Sequence, residues 1–219
     1  MSVAASPGHS RLALVRHGET VGNSSIRYYG RGDVPLSDLG CRQMLAVRAA
    51  LAQYFGHGLA RFDPIFSSPL RRALDSATII TSESPILIDD FVEIDFGALE
   101  GLTADEIRAR YPAEFTRWTL HRLDPDYAYP QGESRAEFLE RVDRGVTRML
   151  TSIDHAHGER GGNAIVVAHR GVIRAITQRL ANVSPVIELA SIQSLIRDVA
   201  KTAWHPEFLD ATEHLSGIK

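Results

Sequence analysis

Leu14-Val15-Arg16-His17-Gly18-Glu19-Thr20 is the stretch around which the rest of the chain is interpreted. Residues 11–15 before it form an apolar run, rich in leucine and valine, that is typical of a buried β-strand. Gly18 ends the run, and the chain turns polar. Open α/β sheets bind ligands outside the carboxyl ends of their strands. We therefore expect a ligand site here, because His17 can serve as a nucleophile, a base or a metal ligand and Arg16 favours phosphate or carboxylate.

The composition points to a single domain over residues 1–219, with residues 1–10 as a loose N-terminal tail. The chain has 219 residues, 44% of them hydrophobic, which is enough for one sizeable core. Its net charge is -3, which indicates neither nucleic acid nor a membrane surface as a partner. No stretch has the pattern of a signal peptide or a membrane span, and the single cysteine, Cys41, fits a reducing compartment. We expect a cytoplasmic protein.

A second strand delivers a second histidine. Residues 163–168 form the clearest strand of the chain, and their continuous apolar run is typical of the centre of a parallel sheet. The strand ends in His169-Arg170-Gly171, and a helix is predicted over 172–180. Two strand-end histidines in one chain predict that both lie at the same sheet edge.

Strands and helices alternate along most of the chain. This order predicts a three-layer α/β/α fold with a mainly parallel central sheet. The remaining predicted strands are 64–68, 85–88, 189–199 and 201–209, and the remaining predicted helices are 39–54, 70–81, 103–111 and 134–153. Capping boxes start the last two helices, and Pro112 is expected to break the first of these two.

The helix predicted over 70–81 carries Arg71 and Arg72 in its first turn. Each cation there opposes the helix dipole by about 0.3–1 kcal/mol, which suggests an anionic ligand, although two solvated arginines would give the same pattern. Adjacent helical residues point about 100° apart, so only one of the pair should face inward.

Residues 91–101 form an acidic loop in which Glu93, Asp95 and Glu100 alternate with apolar residues and glycines. Partial desolvation of such carboxylates raises a carboxyl pKa toward that of a general acid. Glu93 is the expected acid, whereas Glu100 is expected to support the loop and Asp95 to face solvent or a backbone amide.

The basic and aromatic stretch over residues 113–131 is predicted to be irregular. Together with its flanks, about 102–132, it is expected to form a cap-like insertion over the pocket. Arg117, His121 and Arg122 are its candidate substrate contacts, and its aromatic residues are expected to pack against an organic moiety. The polar stretch 155–162 is predicted as a solvated loop, in preference to a metal site on His155 and His157.

These motifs resemble the histidine phosphatase superfamily, in the branch that contains the phosphoglycerate mutases and related small phosphatases. The resemblance covers nearly the whole chain. It is carried by residues 16–20 with Asn23, 36–40, 67–73, 93–101, 130–134 and 167–171. The chain departs from the family pattern at Gly22, where many relatives have tryptophan, and at Arg170, which replaces a common glycine.

The resemblance implies a phosphoglycerate mutase-like fold and names His17 as the nucleophile. A phosphohistidine would form on it, while Arg16, Arg72 and a charged His169 hold the phosphoryl oxygens. Glu93 would exchange protons with the leaving group and water. Further substrate contacts would come from the following residues: Gly18, Glu19, Thr20, Asn23 and Arg31. No metal or other cofactor is required.

Hydrolysis of a small phosphorylated metabolite is the first functional hypothesis. The first alternative is phosphoglycerate mutase-type phosphoryl transfer, which is less favoured because the segment 101–132 is short for a mutase. The second alternative is a non-catalytic phosphate-binding module, against which the joint presence of the predicted catalytic residues argues. The sequence identifies neither the substrate nor the oligomeric state, and it is compatible with a homodimer.

Overall fold

The fold is built on a six-stranded sheet in a computed structural model that describes residues 8–23, 26–55, 62–199 and 202–218. The strand order is β3-β2-β4-β1-β5-β6. The strands are β1 (His9–Arg16), β2 (Phe62–Ser67), β3 (Ile86–Leu87), β4 (Asn163–Ala168), β5 (Ile192–Asp198) and β6 (His205–Ala211). Pairs β3-β2, β2-β4 and β4-β1 are parallel, whereas β1-β5 and β5-β6 are antiparallel. The prediction of a mainly parallel α/β sheet is confirmed.

Helices cover both faces of the sheet. They are α1 (Asp38–Phe55), α2 (Arg71–Thr81), α3 (Ala104–Arg110), α4 (Pro112–His121), α5 (Arg135–His157) and α6 (Arg170–Ala181). Successive strand residues point to opposite faces, so Leu12 and Leu14 of β1 pack with α5 and α6, while Ala13 and Val15 pack with α1 and α2. The result is the predicted three-layer arrangement. Within the described residues, no helix is both long enough and apolar enough to cross a membrane.

The first strand begins earlier than predicted. His9 and Ser10, assigned to a loose tail, pair with Asp198 and Arg197 of β5. The antiparallel neighbour supplies hydrogen-bond partners that the local sequence does not reveal. The rest of the predicted tail, residues 1–7, lies outside the described part of the chain.

A helix occupies much of the stretch predicted to be irregular. The break expected at Pro112 is confirmed, because α3 ends at Arg110 with Tyr111 as its C-cap, but Pro112 is also the first residue of α4 rather than the start of an irregular stretch. Proline is tolerated there because the first amide of a helix has no intrahelical partner to lose. Similarly, α5 continues through His155 and His157, which were predicted to lie in a loop, and ends at Gly158.

The parallel register brings the two strand-end motifs together. Arg16 is paired with Ala168, and the His17 amide donates to the Ala168 carbonyl at 3.1 Å. On the other side of β4, the Ser68 amide donates to the Val167 carbonyl at 3.1 Å. Three chain segments therefore leave the sheet next to one another at its carboxyl edge.

Candidate active site

His17 lies directly after β1 and is 4% exposed. Its Nδ1 is 2.8 Å from the Gly18 carbonyl oxygen. Since a carbonyl oxygen only accepts, Nδ1 carries the proton and Nε2 keeps its lone pair. Burial, followed by the positive charges of Arg72 and Arg16, lowers the pKa of His17 well below its usual value. The imidazole is therefore neutral and has the form of a nucleophile.

His169 lies directly after β4 and is fully buried, and its ring centroid is 5.2 Å from that of His17. Its Nε2 is 2.8 Å from the Ser68 hydroxyl, and its Nδ1 has no hydrogen-bond partner among the described residues. Burial, followed by the positive charge of Arg72 and the proximity of the His17 ring, lowers the pKa of His169 well below its usual value. This environment favours the neutral form of His169, and the charged form that the resemblance implies stays a prediction for the site with a phosphoryl group bound.

The first turn of α2 directs one of its two arginines inward. Arg72 is 2% exposed and donates to the carbonyls of Gly30 at 2.6 Å and Gly32 at 2.7 Å. The Arg71 side chain is 63% exposed and lies 3.5 Å from Asp75. The angular argument predicted that only one arginine faces inward, the resemblance selected Arg72, and the burial of Arg72 confirms this orientation.

Arg16 is a second buried guanidinium. Its Nη1 donates to the Ile187 carbonyl at 3.0 Å, while its buried Nε has no partner in the described part of the chain. Burial, followed by the charge of Arg170, lowers the pKa of Arg16 to about 9. A buried N–H group without a partner is costly, and an anion at this point would satisfy it.

Glu93 is held at the edge of the same site. One carboxylate oxygen accepts from the Ile94 amide at 3.0 Å, and the other accepts from the Gly171 amide at 3.0 Å. A Cβ atom at position 171 would lie 2.4 Å from the Glu93 carboxylate, so the approach requires glycine. The start of α6 thus fixes both His169 and the candidate acid.

Arg141 of α5 clamps the backbone from Asp90 to Glu93. Its guanidinium donates to the carbonyls of Asp90 at 2.9 Å, Val92 at 2.5 Å and Glu93 at 3.1 Å. It also binds the buried Glu133 carboxylate through two bonds of 2.6 and 2.8 Å. Sequence reasoning missed this role, because Arg141 is separated from the loop by about 50 residues and has no local motif.

The other acids of the loop behave as predicted. Glu100 accepts from the amides of Arg31 at 2.8 Å, Gly32 at 2.9 Å and Phe96 at 3.1 Å, which ties two loops together. Burial raises the pKa of Glu100. Asp95 accepts from a neighbouring backbone amide, that of Gly97, at 2.8 Å.

A cavity of about 1320 Å³ opens over these groups. Its inner wall includes Arg16, His17, Arg72 and Glu93. The opposite wall is aromatic and contains Tyr28, Phe96, Trp118 and Tyr129. These rings make edge-to-face contacts with centroids 4.9–5.4 Å apart. Trp118, Arg122 and Tyr129 belong to the segment that was predicted to cover the pocket.

Two predicted substrate contacts near the first loop lie outside the lining of this cavity. The Arg31 guanidinium is 3.8 Å from both Asp95 and Glu133, whose charges hold it over a smaller depression. Asn23 is exposed in a left-handed turn with φ 75°, and its carbonyl accepts from the amides of Ile26 and Arg27.

Two predicted contacts in the segment 102–132 also lie outside the lining of this cavity. Arg117 binds Glu114 at 2.9 Å and stacks over Tyr127, while His121 is 2.9 Å from Asp124. Each side chain is paired with a carboxylate three residues away along the chain. The sequence-based assignment to the pocket did not take these pairings into account. Arg122 does line the cavity, and its guanidinium lies over the Trp118 ring.

Residues 18–20 support the histidine loop. Gly18 supplies the carbonyl for His17. The Glu19 carboxylate accepts from the Thr20 amide at 2.9 Å, and the Glu19 amide donates to Gln43 of α1 at 2.8 Å. All three residues are buried beside the cavity rather than on its surface.

Two arginines of α6 were not predicted as site residues. Arg170 and Arg174 both line the cavity. Their spacing places them on one face of a helix whose start carries a strand-end histidine, and that spacing was the available signal. Among the residues that the structure describes, no group of three or more His, Cys, Asp or Glu side chains is arranged to hold a metal ion.

The geometry is that of an α/β protein with two histidines and two arginines buried together at the carboxyl edge of its sheet. The family model of the histidine phosphatase superfamily (branch 1) matches residues 12–193, and the chain belongs to this superfamily. The resemblance inferred from the motifs is confirmed.

Named relatives and solved structures agree with this membership. A bifunctional protein of Mycobacterium tuberculosis is 37% identical over 163 residues, which are 73% of this chain and 41% of that protein. The chain thus spans about two fifths of the length of that relative. A glucosyl-3-phosphoglycerate phosphatase of Mycolicibacterium vanbaalenii is 35% identical over 176 residues, 78% of this chain and 73% of that protein. The solved structure of a mycobacterial glucosyl-3-phosphoglycerate phosphatase superposes with a TM-score of 0.73 at 27% identity, covering 93% of this chain and 100% of the other.

Proposed function

We propose that this protein hydrolyses small phosphomonoesters through a phosphohistidine formed on His17. The bond from Nδ1 of His17 to the Gly18 carbonyl carries the proposal, since it leaves Nε2 unprotonated and fixes the ring. The phosphatase names of relatives in the same superfamily support hydrolysis as the reaction.

In the first step, Nε2 of His17 attacks phosphorus in line with the ester oxygen. The N–P bond forms as the P–O bond to the alcohol breaks, and the leaving oxygen takes a proton from the protonated Glu93 carboxyl group. The ring then bears positive charge, which the Gly18 carbonyl stabilises through the Nδ1 proton.

In the second step, a water molecule attacks the phosphohistidine. Glu93 takes a proton from that water, the N–P bond breaks, and its electron pair returns to Nε2. Inorganic phosphate leaves, and both residues regain their starting protonation states.

Arg16 and Arg72 stabilise the charge on the equatorial oxygens. Both are buried before substrate arrives, so little reorganisation is required as charge shifts in the transition state. A dianionic phosphoryl group would also raise the pKa of His169, because its charge favours the imidazolium form. His169 then becomes an additional donor to phosphate.

The experiment is phosphate release by the purified protein over a panel of small phosphomonoesters, with product identity checked by NMR. We expect inorganic phosphate and the free alcohol, with rates unchanged after exhaustive dialysis against EDTA. A rearranged phosphate ester without release of phosphate would identify a mutase instead. Tight phosphate binding without turnover on the whole panel would identify a binding module.

A further inference from the structure

The cavity extends beyond the phosphoryl site, and its extension is basic. Arg170 and Arg174 of α6 and Arg122 of α4 line this part, together with Arg135 at the start of α5. The mechanism proposed above uses none of these four side chains. We call them the outer arginines.

The outer arginines differ from the other arginines of the same cavity in their partners. Across the described ranges, 8–23, 26–55, 62–199 and 202–218, no outer arginine has a carboxylate within 4.0 Å. The remaining arginines toward the rim are neutralised in the pairs Arg27–Glu106, Arg144–Asp90 and Arg179–Asp143. Positive charge is therefore concentrated where no described acidic side chain forms an ion pair with it.

The acidic residues that line the cavity form no ion pair with the outer arginines. Asp143 is paired with Arg179 at 2.5 Å. Both oxygens of Glu93 accept from backbone amides. Glu140 is exposed, and it forms no ion pair with any described residue.

The two α6 arginines are placed unfavourably for the helix itself. Arg170 is the first residue of α6, where a cation opposes the helix dipole, and Arg174 follows one turn later on the same face. Burial and then the charge of Arg170 lower the pKa of Arg174; the charge of Glu93 opposes this shift, and Arg135 and Arg122 add smaller lowering effects. Local repulsion of this kind persists where a ligand compensates it.

This basic region begins next to the phosphoryl site. Arg170 Nε donates to the Ile187 carbonyl at 3.2 Å, the same oxygen that accepts from Arg16 at 3.0 Å. The two donor nitrogens therefore lie within roughly 6 Å of each other. One small molecule can reach both.

We propose that the substrate carries a second anionic group, a carboxylate or a second phosphate, bound by Arg170 and Arg174 with Arg122 closing over it. This assignment rests on the proposed phosphatase function. The short distance between the two sites favours compact molecules, such as a phosphorylated hydroxy acid, in which few bonds separate the two anions. Guanidinium groups suit both anions because they bind oxygens in pairs.

The test compares two matched substrates, 3-phosphoglycerate and glycerol 3-phosphate, which differ in a carboxylate against a hydroxymethyl group. We expect kcat/KM to favour the acid at least about tenfold in the natural protein. In Arg174→Gln that ratio should fall about tenfold, and in Arg170→Gln/Arg174→Gln by about a hundredfold. Arg148→Gln, on the exposed side of α5 and paired with Asp90, is the control that keeps the ratio.

A parallel pair, fructose 1,6-bisphosphate and fructose 6-phosphate, shows whether the second anion is a phosphate. A preference for the doubly charged member of either pair that the α6 variants abolish supports the assignment. The assignment is overturned if the α6 variants lose kcat/KM equally on both members of each pair. It is also overturned if the natural protein does not prefer the doubly charged member of either pair. Nitrophenyl phosphate has no second anion, so failure to hydrolyse it overturns the phosphatase function separately.

Discussion

The ends of β1 and β4 deliver two histidines of nearly equal burial that differ in their hydrogen bonds. His17 gives its Nδ1 proton to the carbonyl of the next residue, and its Nε2 has no hydrogen-bond partner among the described residues. The Nε2 of His169 is hydrogen-bonded to the hydroxyl of Ser68, the residue that follows β2. Burial and the same arginines lower the pKa of both.

We infer from this difference that the hydrogen-bond partner, rather than the strand-end position, suits His17 to the proposed role of nucleophile and His169 to that of a phosphate-binding group. A carbonyl fixes one tautomer, because it can only accept. A hydroxyl can donate or accept, so it permits His169 to change its protonation state when a dianion arrives.

The largest expected effect is the difference in kcat between the alanine variants of the two histidines. His17→Ala removes the only proposed attacking group and should lower kcat by at least about 10⁴. His169→Ala removes charge stabilisation and should lower kcat by about 10²–10³. His205→Ala, at an exposed position in β6, is the control and should be unaffected. Similar losses in the first two variants would remove the distinction between the histidines.

Glu93→Gln should show that a carboxyl group of the acidic loop, rather than either histidine, transfers the proton to the leaving group. The substitution keeps the shape but cannot transfer a proton, so the loss should be about 10²–10⁴ on an alkyl phosphate. On nitrophenyl phosphate, whose leaving group departs as an anion, the loss should be small. The matched control Glu100→Gln should lack this dependence, because its carboxylate binds three backbone amides. Dependence in Glu100→Gln alone would reassign the acid.

Arg72→Gln should lower kcat/KM by about 10²–10³, since this buried guanidinium lies at the site that both histidines share. Arg71→Gln is its neighbour in sequence, and its exposed side chain predicts a change of less than about twofold. Steady-state kinetics on one alkyl phosphate measures both variants. Equal effects would mean that the helix does not direct only one arginine inward.

The smallest effect concerns stability against pH. Because the pKa of His169 is lowered in the folded protein, the unfolded chain binds the extra proton once pH falls below about 6.5. The free energy of unfolding should therefore fall on acidification below that pH, by up to about 1.4 kcal/mol per pH unit. Urea unfolding measures this at about pH 7.5 and about pH 5.5. Between these two pH values, the free energy of unfolding should fall by roughly 1 kcal/mol more in the natural protein than in His169→Asn. Identical losses would contradict the lowered pKa.

The sequence predicts the parts of the site that depend on local rules. A strand followed by glycine places His17, and the helical angle together with the motif selects Arg72. The position of Arg31 could not be predicted this way, because the carboxylates that hold it, Asp95 and Glu133, belong to distant segments. Pro112 ends α3 as predicted, but the rule that proline breaks a helix does not reveal that the same proline starts α4.

The most direct test of the account is to trap the intermediate. The protein is mixed with nitrophenyl phosphate, quenched within milliseconds under alkaline conditions that preserve phosphohistidine, and mapped by mass spectrometry. The account predicts one phosphoryl group on the peptide that contains His17, still present in His169→Ala and absent in His17→Ala. A phosphoryl group on His169, or turnover without any labelled histidine, would contradict it.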